Sequence, residues 1–313
     1  MTKVDLITGF LGAGKTTFIH RYLYHISDQK VLIIENEFGS IGVDARLLRN
    51  EGCPIEDLSG VCMCCRGRDQ FIHMLIDAAA HGFDRVLVEP SGIYDVDEFF
   101  SVMNEAAVRN CCEIGSILAI VDAHLPQSIS DDSAYLMVTQ LLASGAVILS
   151  RTQDVSSEEI KQTIDWLNDL IRLNGGTRVL SEEVCVKPWT ELTDEDFIFF
   201  MQSGYHHDAH KRRAFNHEGS YGSFMTAGYC VDEADLKVRL SSLFENKEYG
   251  DVIRTKGFIR DLEKNFYEVN CTARDVDIKA VTDIRRGILV IIGQNLNEAA
   301  LNDLFLPAVS LKR

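Results

Sequence analysis

Nine consecutive residues constrain this chain more than any others: Gly9-Phe10-Leu11-Gly12-Ala13-Gly14-Lys15-Thr16-Thr17, a fit to G-x-x-x-x-G-K-[ST]. They stand between an apolar, strand-like run, Val4–Thr8, and an amphipathic stretch, Thr16–Ile26, which is the context the pattern needs. Glycines let the backbone turn so tightly that successive N–H groups point at one phosphate, and the helix start adds its own unpaired N–H groups. Lys15 is then placed to bridge β- and γ-phosphates, and the Thr16 hydroxyl to ligate Mg²⁺. Gly12, Ala13, Gly14, Lys15, Thr16 and Thr17 are the expected phosphate contacts.

The rest of the first half agrees with that loop. Val31–Glu35, Val86–Glu89, Ser116–Asp122 and Ala146–Ser150 are short apolar runs without polar alternation, as in strands buried on both faces. They alternate with helical stretches such as Asp69–His81 and Ser157–Leu173, the pattern of a parallel sheet covered on both sides. A strand around Val179 is expected to close this domain. Residues 203–220 are polar, carry four of the nine histidines and lack periodicity, so they read as an exposed linker. Beyond it, strand-like Ser223–Val231, Val252–Arg260, Phe266–Thr272 and Gly287–Gly293 mix with a helix Glu233–Phe244 and another from Asn297. The expected architecture is α/β: a P-loop NTPase domain with a mostly parallel sheet over 1–202, a linker over 203–222, and a small α+β domain over 223–313.

Composition excludes some partners. A net charge of −16 argues against nucleic acid, which selects for a basic face. No run approaches the ~18 apolar residues of a membrane span, and no leader is visible, so the expectation is a cytoplasmic protein without a membrane partner. Nine cysteines, an odd number, do not form a disulfide framework; reduced thiols are available for metal.

Further along, Val86-Leu87-Val88-Glu89-Pro90-Ser91-Gly92 ends a buried strand in an acid and then a glycine. Glu89 can hold Mg²⁺ or its water, and the Gly92 N–H can reach a γ-phosphate. After the strand Ala146–Leu149 comes Ser150-Arg151-Thr152-Gln153-Asp154, where many GTPases carry N-K-x-D. Gln153 stands where the guanine-reading Asp is expected, and an amide offers one acceptor oxygen where a carboxylate offers two. Ser150, Arg151 and Gln153 are the candidate base contacts; Asp154 takes the role only if the loop shifts by one residue.

Cys62-Met63-Cys64-Cys65 brings three thiols within four positions. They can converge on one soft or borderline ion such as Zn²⁺ or Co²⁺ and leave coordination open for a further ligand. Cys53, Cys185, Cys230 and Cys271 are isolated and read as packing residues. Cys111-Cys112 is ambiguous, with one thiol available as a fourth ligand. His206, His207, His210 and His217 could load metal from the linker or simply be solvated.

Together these residues resemble the CobW-type P-loop GTPases, relatives of the hydrogenase and urease nickel-insertion GTPases. The resemblance runs through Ile7–Thr17, Glu35-Asn36-Glu37-Phe38-Gly39-Ser40-Ile41-Gly42-Val43-Asp44, the C-x-C-C, the E-x-x-G, Val121-Asp122-Ala123 and Gln140. It continues in Arg254-Thr255-Lys256-Gly257-Phe258 and Ile291-Ile292-Gly293-Gln294-Asn295-Leu296. It implies a metallochaperone or metal insertase that binds GTP–Mg²⁺, hydrolyses it slowly, and delivers a transition-metal ion to a client metalloprotein, with room for a homo-oligomer. It implies Lys15, Glu37 and Glu89 as catalytic residues, Thr16, Asp44 and Glu89 around Mg²⁺, and Glu35, Cys62, Cys64 and Cys65 around the metal, with His206, His207 and His210 as accessory sites. Cys/Glu ligation admits Zn²⁺, Co²⁺ and Ni²⁺. Other readings are a nucleotide-binding metal sensor or buffer without useful turnover, a small-molecule kinase or cobalt-inserting subunit with a structural C-x-C-C, and an NTPase of relaxed base specificity serving cobalamin metabolism.

Overall fold

The computed structural model describes residues 1–36, 54–57, 67–124, 129–181, 183–207, 220–228, 233–261, 263–282 and 287–305. Glu37, Asp44, Cys53, Cys62, Cys64, Cys65, His210, His217 and Cys230 lie outside them. Two compact units divide at residues 215 and 216.

Unit one is built on a seven-stranded, all-parallel sheet of β1 (Thr2–Thr8), β2 (Val31–Glu35), β3 (Ile55–Asp57), β4 (Arg85–Glu89), β5 (Cys112–Asp122), β6 (Ala146–Ser150) and β7 (Val184–Cys185). Their order is β3-β2-β4-β1-β5-β6-β7. Its helices are α1 (Lys15–His25), α2 (Arg68–Ala80), α3 (Val96–Met103), α4 (Ala106–Arg109), α5 (Asp131–Ala143), α6 (Ser157–Leu173) and α7 (Asp194–Gln202). Period-two geometry sends alternate residues to opposite faces. Leu32, Ile34, Val86 and Val88 pack with Phe71 and Leu75 of α2 and Phe99 of α3. Val31, Ile33 and Leu87 pack with Phe18, Ile19 and Tyr22 of α1 and Phe197 and Phe200 of α7. Both faces being covered explains why the strands read as unbroken apolar runs.

A buried polar group interrupts this core. Asp5, in the middle of β1, pairs with Arg85 and accepts hydrogen bonds from Tyr22 Oη (3.0 Å) and the Ser116 N–H (2.8 Å). Burial pushes its carboxyl above the usual range even with Arg85 opposing the shift. Arg85 reaches on to Gln29 at 3.0 Å, so the network ties together β1, β4, β5, α1 and the turn before β2.

Two expectations change. The last strand is Val184–Cys185 and not the run around Val179. Val179 is exposed, and its neighbour Arg178 turns inward to donate to the Leu141 carbonyl (2.6 Å) and the Ser144 carbonyl (2.5 Å) at the end of α5. The chain here satisfies helix-end carbonyls that would otherwise be orphaned. Nor is the start of the expected linker free. Ile117 N–H donates to the Gly204 carbonyl (2.9 Å), Tyr205 bridges to Ser144, and the His206 N–H donates to the Ala143 carbonyl (2.9 Å).

Unit two carries a five-stranded antiparallel sheet of β8 (Gly222–Ala227), β9 (Asp251–Arg260), β10 (Phe266–Thr272), β11 (Val276–Val281) and β12 (Ile288–Gln294), in the order β11-β10-β9-β12-β8. Helices α8 (Glu233–Glu245) and α9 (Glu298–Phe305) contribute Leu236, Leu240, Leu301 and Phe305 to a core with Ile259, Val269, Leu289 and Ile291. The α+β expectation thus matches, with β11 as a strand the sequence pattern did not separate from its turn. Among the described residues no helix is long and apolar enough to cross a membrane.

Candidate functional site

The glycine-rich loop lies where β1 ends and α1 begins, at the carboxyl edge of the parallel sheet, the edge where open α/β sheets bind ligands. Gly12 and Gly14 have positive φ (77° and 99°), a conformation open to glycine and strained for other residues. Gly14 caps α1 with no side-chain hydrogen bond, and the start of a helix carries the partial positive charge that suits an anion. Lys15 is buried, and its Nζ donates to the Gly9 carbonyl at 3.0 Å. Its ammonium therefore lies against the loop it belongs to.

Strand order decides what surrounds the loop. β4 lies between β1 and β2, so Glu89 at its end meets both neighbours. The Thr16 hydroxyl donates to Glu89 Oε1 at 2.8 Å. On the other side Glu35 is the register partner of Glu89 in the β2–β4 pair, and the Asn36 N–H donates to the Glu89 carbonyl at 2.8 Å. Both carboxylates are buried, Glu35 at 4% and Glu89 at 6% exposure. Two acids ending adjacent strands in register have their Cα atoms ~5 Å apart, a spacing that favours a shared or neighbouring cation. A hydroxyl beside a carboxylate is a hard oxygen donor pair of the kind Mg²⁺ takes.

Behind Glu89 the chain runs against the loop. A Cβ on Gly92 would sit 2.4 Å from the Leu11 nitrogen, so only glycine lets the two backbones approach this closely. Gln140 of α5 donates to the carbonyls of Gly92 and Tyr94, each at 3.4 Å, and the Tyr135 hydroxyl to Asp95 at 3.0 Å. Asp95 in turn caps α3, accepting from the Asp97 N–H at 3.0 Å.

On the opposite flank, Ser150 is buried and Arg151 adopts a left-handed conformation, φ 58°. Arg151 Nη1 donates to the Gly12 carbonyl at 3.2 Å and pairs with Asp122; Asp122 also accepts from the His124 N–H at 2.9 Å. Thr152 is buried, whereas Gln153 and Asp154 are exposed, with Gln153 Nε2 donating to Asp154 Oδ2 at 2.9 Å. Trp189 is a neighbour that no sequence motif indicated. Its indole N–H donates to the Leu149 carbonyl at 3.0 Å, and its ring lies 3.2 Å from where a Gly14 Cβ would stand.

The remaining candidates are scattered. Cys112 pairs with Thr2 at the amino end of the sheet, five positions below the level of Glu89, or ~16 Å at ~3.3 Å per residue. It is buried, donates to the Leu75 carbonyl at 3.6 Å, and burial pushes its thiol up to about 12. Cys111-Cys112 therefore supplies no fourth ligand to an ion at Glu35. His206 is held by its backbone, and the His207 ring packs edge-on to Phe100 at 4.7 Å. Among the described residues no group of three or more His, Cys, Asp and Glu side chains is arranged to hold a metal.

A glycine-rich phosphate loop between the first strand and first helix, facing an acid at the end of an inserted parallel strand, defines a P-loop nucleoside triphosphatase architecture. The chain belongs to the CobW/HypB/UreG family. Residues 3–179 match the family's nucleotide-binding domain and residues 223–309 the cobalamin synthesis protein cobW C-terminal domain. It is 26% identical to the zinc chaperone CobW of Pseudomonas aeruginosa over 343 aligned positions, covering 95% of this chain and 89% of that one. It is 31% identical to the zinc chaperone YjiA of Escherichia coli over 169 positions, covering 50% of this chain and 51% of that protein. The Zn(II)-bound crystal structure of the Escherichia coli YjiA GTPase aligns over 97% of this chain and 98% of that one at 21% identity, with a TM-score of 0.38.

Proposed function

We propose that this chain is a GTP-dependent metallochaperone in which slow hydrolysis gates the binding and release of a transition-metal ion, Zn²⁺, Co²⁺ or Ni²⁺, for a client metalloprotein. The observation that carries the reading is the placement of Glu89 between Thr16 and Glu35. One carboxylate is hydrogen-bonded to the phosphate loop's threonine and in register with the acid assigned to the metal.

In this reading the loop amides and Lys15 receive the triphosphate, Lys15 exchanging its own loop carbonyls for phosphate oxygens. Gly92 offers its N–H to the γ-phosphate. Thr16, Asp44 and Glu89 would hold Mg²⁺, which would supply charge neutralisation at the phosphate oxygens. Glu37 and Glu89 complete the catalytic set with Lys15. Glu35, Cys62, Cys64 and Cys65 take the transported ion as substrate. Because Glu35 and Glu89 end adjacent strands, a change in the charge held at one alters the field at the other. Coupling of this kind is reciprocal: nucleotide must shift metal affinity by the factor by which metal shifts nucleotide affinity.

Competitive chelator titrations of the GTP-analogue and GDP forms at fixed pH test it. The expected difference in metal dissociation constant is roughly 5–150-fold, the range of ordinary allosteric coupling. Equal affinities in the two forms would leave two independent sites and end the chaperone reading.

A further inference from the structure

The turn that follows β6 departs from N-K-x-D at the residue expected to read guanine, and its geometry supplies a substitute. We propose that Asp154, braced by Gln153, is the guanine-recognition carboxylate of this chain. The inference rests on the GTP reading above and names the residue that confers its base specificity.

Four observations carry it. First, the turn borders the phosphate loop. Arg151 donates to the Gly12 carbonyl at 3.2 Å, and Ser150 Cβ lies 3.8 Å from where a Gly14 Cβ would stand. Second, the left-handed Arg151 leads into a 3-10 turn over Thr152–Asp154, closed by the Asp154 N–H donating to the Arg151 carbonyl at 3.1 Å. This turn fixes the backbone of Thr152, Gln153 and Asp154 beside the phosphate loop. Third, Thr152 is buried while Gln153 and Asp154 are both exposed. Fourth, Gln153 Nε2 donates to Asp154 Oδ2 at 2.9 Å.

Chemistry fixes the orientation of that last contact. A carboxylate only accepts, so the amide must turn its NH₂ toward it and its carbonyl away. Gln153 is thereby committed to holding Asp154, and Oδ1 of Asp154 keeps its full acceptor capacity. Guanine presents two adjacent donors, N1–H and the 2-amino group. Oδ1 of Asp154 and the second lone pair of Oδ2 offer the two acceptors such a pair needs. Adenine presents an acceptor at N1, which a carboxylate repels. The expected effect of losing one charge-assisted bond to a base is roughly a 10–100-fold loss of affinity.

The experiment uses the full chain and titrates GTP, XTP, ITP and ATP against the parent, Asp154→Asn, Gln153→Ala and Gln153→Asp. Lys15→Ala serves as the control without phosphate binding, and thermal midpoints check folding. Asp154→Asn should weaken GTP roughly 10–100-fold and strengthen XTP, because an amide NH₂ can donate to xanthine's 2-oxo group. Gln153→Ala should weaken GTP less, by loosening the carboxylate. Gln153→Asp should bring no gain, since it sets two carboxylates side by side. An unchanged GTP-to-XTP ratio in Asp154→Asn, or a sharpened guanine preference in Gln153→Asp, overturns the assignment and returns base reading to position 153. A parent that binds GTP no better than Lys15→Ala does overturns the GTP reading itself, and Asp154 with it.

Discussion

Gly92→Ala probes the closest backbone approach at the site. The added methyl carbon would lie 2.4 Å from Leu11 N, 2.7 Å from Leu11 Cα and 2.8 Å from the Phe10 carbonyl carbon. All three are main-chain atoms of the phosphate loop, so no side chain can rotate away. Ordinary contact begins near 3.4 Å, which requires the two backbones to part by about 1 Å. Displacements of that size in a positioned site cost on the order of 10²-fold in function, and overpacking a tight site costs ~1–3 kcal/mol of stability. For a unit of about 200 residues that corresponds to a melting-temperature loss of about 2–12 °C. Gly82→Ala is the contrasting control. Gly82 has a positive φ, 69°, which Gly92 does not, and nothing stands within 4 Å of its added carbon. It should lose ~1–2 kcal/mol from the strained backbone alone while keeping nucleotide affinity. Titration with a fluorescent GTP analogue, run beside thermal denaturation of both variants, separates the two effects. If Gly92→Ala binds the analogue as tightly as the parent, the loop does not depend on this contact, and the placement of the Gly92 N–H at the γ-phosphate is wrong.

Two further outcomes follow from ionisation. Asp196 caps α7 and pairs with Lys187 at 2.7 Å; partial burial raises its carboxyl, but Lys187 and the Thr193 N–H and hydroxyl outweigh that and hold it below its usual value of 3.8. A depressed carboxyl stabilises the fold above the unfolded pKa and loses that contribution as pH falls through the folded one. Asp196→Asn should thus cost about 0.5–1 kcal/mol at pH 7, a gap that narrows in denaturant titrations as pH drops below 3.8; a gap that persists there refutes the assignment. Burial pushes the thiols of Cys112 and Cys271 up to about 12, so at pH 8 only about one in 10⁴ is thiolate. Iodoacetamide mapping by mass spectrometry should find both unmodified in the native protein, and rapid labelling of either would contradict its burial.

Much of unit one was legible because buried parallel strands leave an unambiguous trace: Val31–Glu35 and Ala146–Ser150 are the same in pattern and in structure. What escaped was set by side chains acting at a distance. Nothing local marks Val179 as exposed, because the reason is Arg178 capping the end of α5. Nothing in the polar run after Gln202 shows that Ser203–His207 is pinned, because its partners are Ser116, Ile117, Ala143 and Ser144 on other elements. Trp189 was invisible for the same reason. It approaches the phosphate loop through tertiary packing against Phe18, with ring centroids 5.6 Å apart.

The central feature of the site shows why residue types were readable and their relations were not. Thr16 and Glu89 are 73 residues apart in sequence; the first was recognisable from the glycine-rich motif and the second from its own strand end. Pattern alone orders strands along the chain, whereas the sheet inserts β4 between β1 and β2. Had β2 lain beside β1, Glu35 would end next to the phosphate loop and Glu89 would be removed from it by one strand spacing, ~4.8 Å. The observed order makes Glu89 the common neighbour of Thr16 and Glu35, so the carboxylate bonded to the glycine-rich loop's threonine is also the register partner of the acid proposed for the metal. Any charge added or withdrawn on one side acts on the other across a single strand, in an interior where screening by salt is weak. In the proposed function the coupling between nucleotide and metal runs through the connectivity of the sheet, and a difference in metal affinity between the two nucleotide forms is the measurement that tests it.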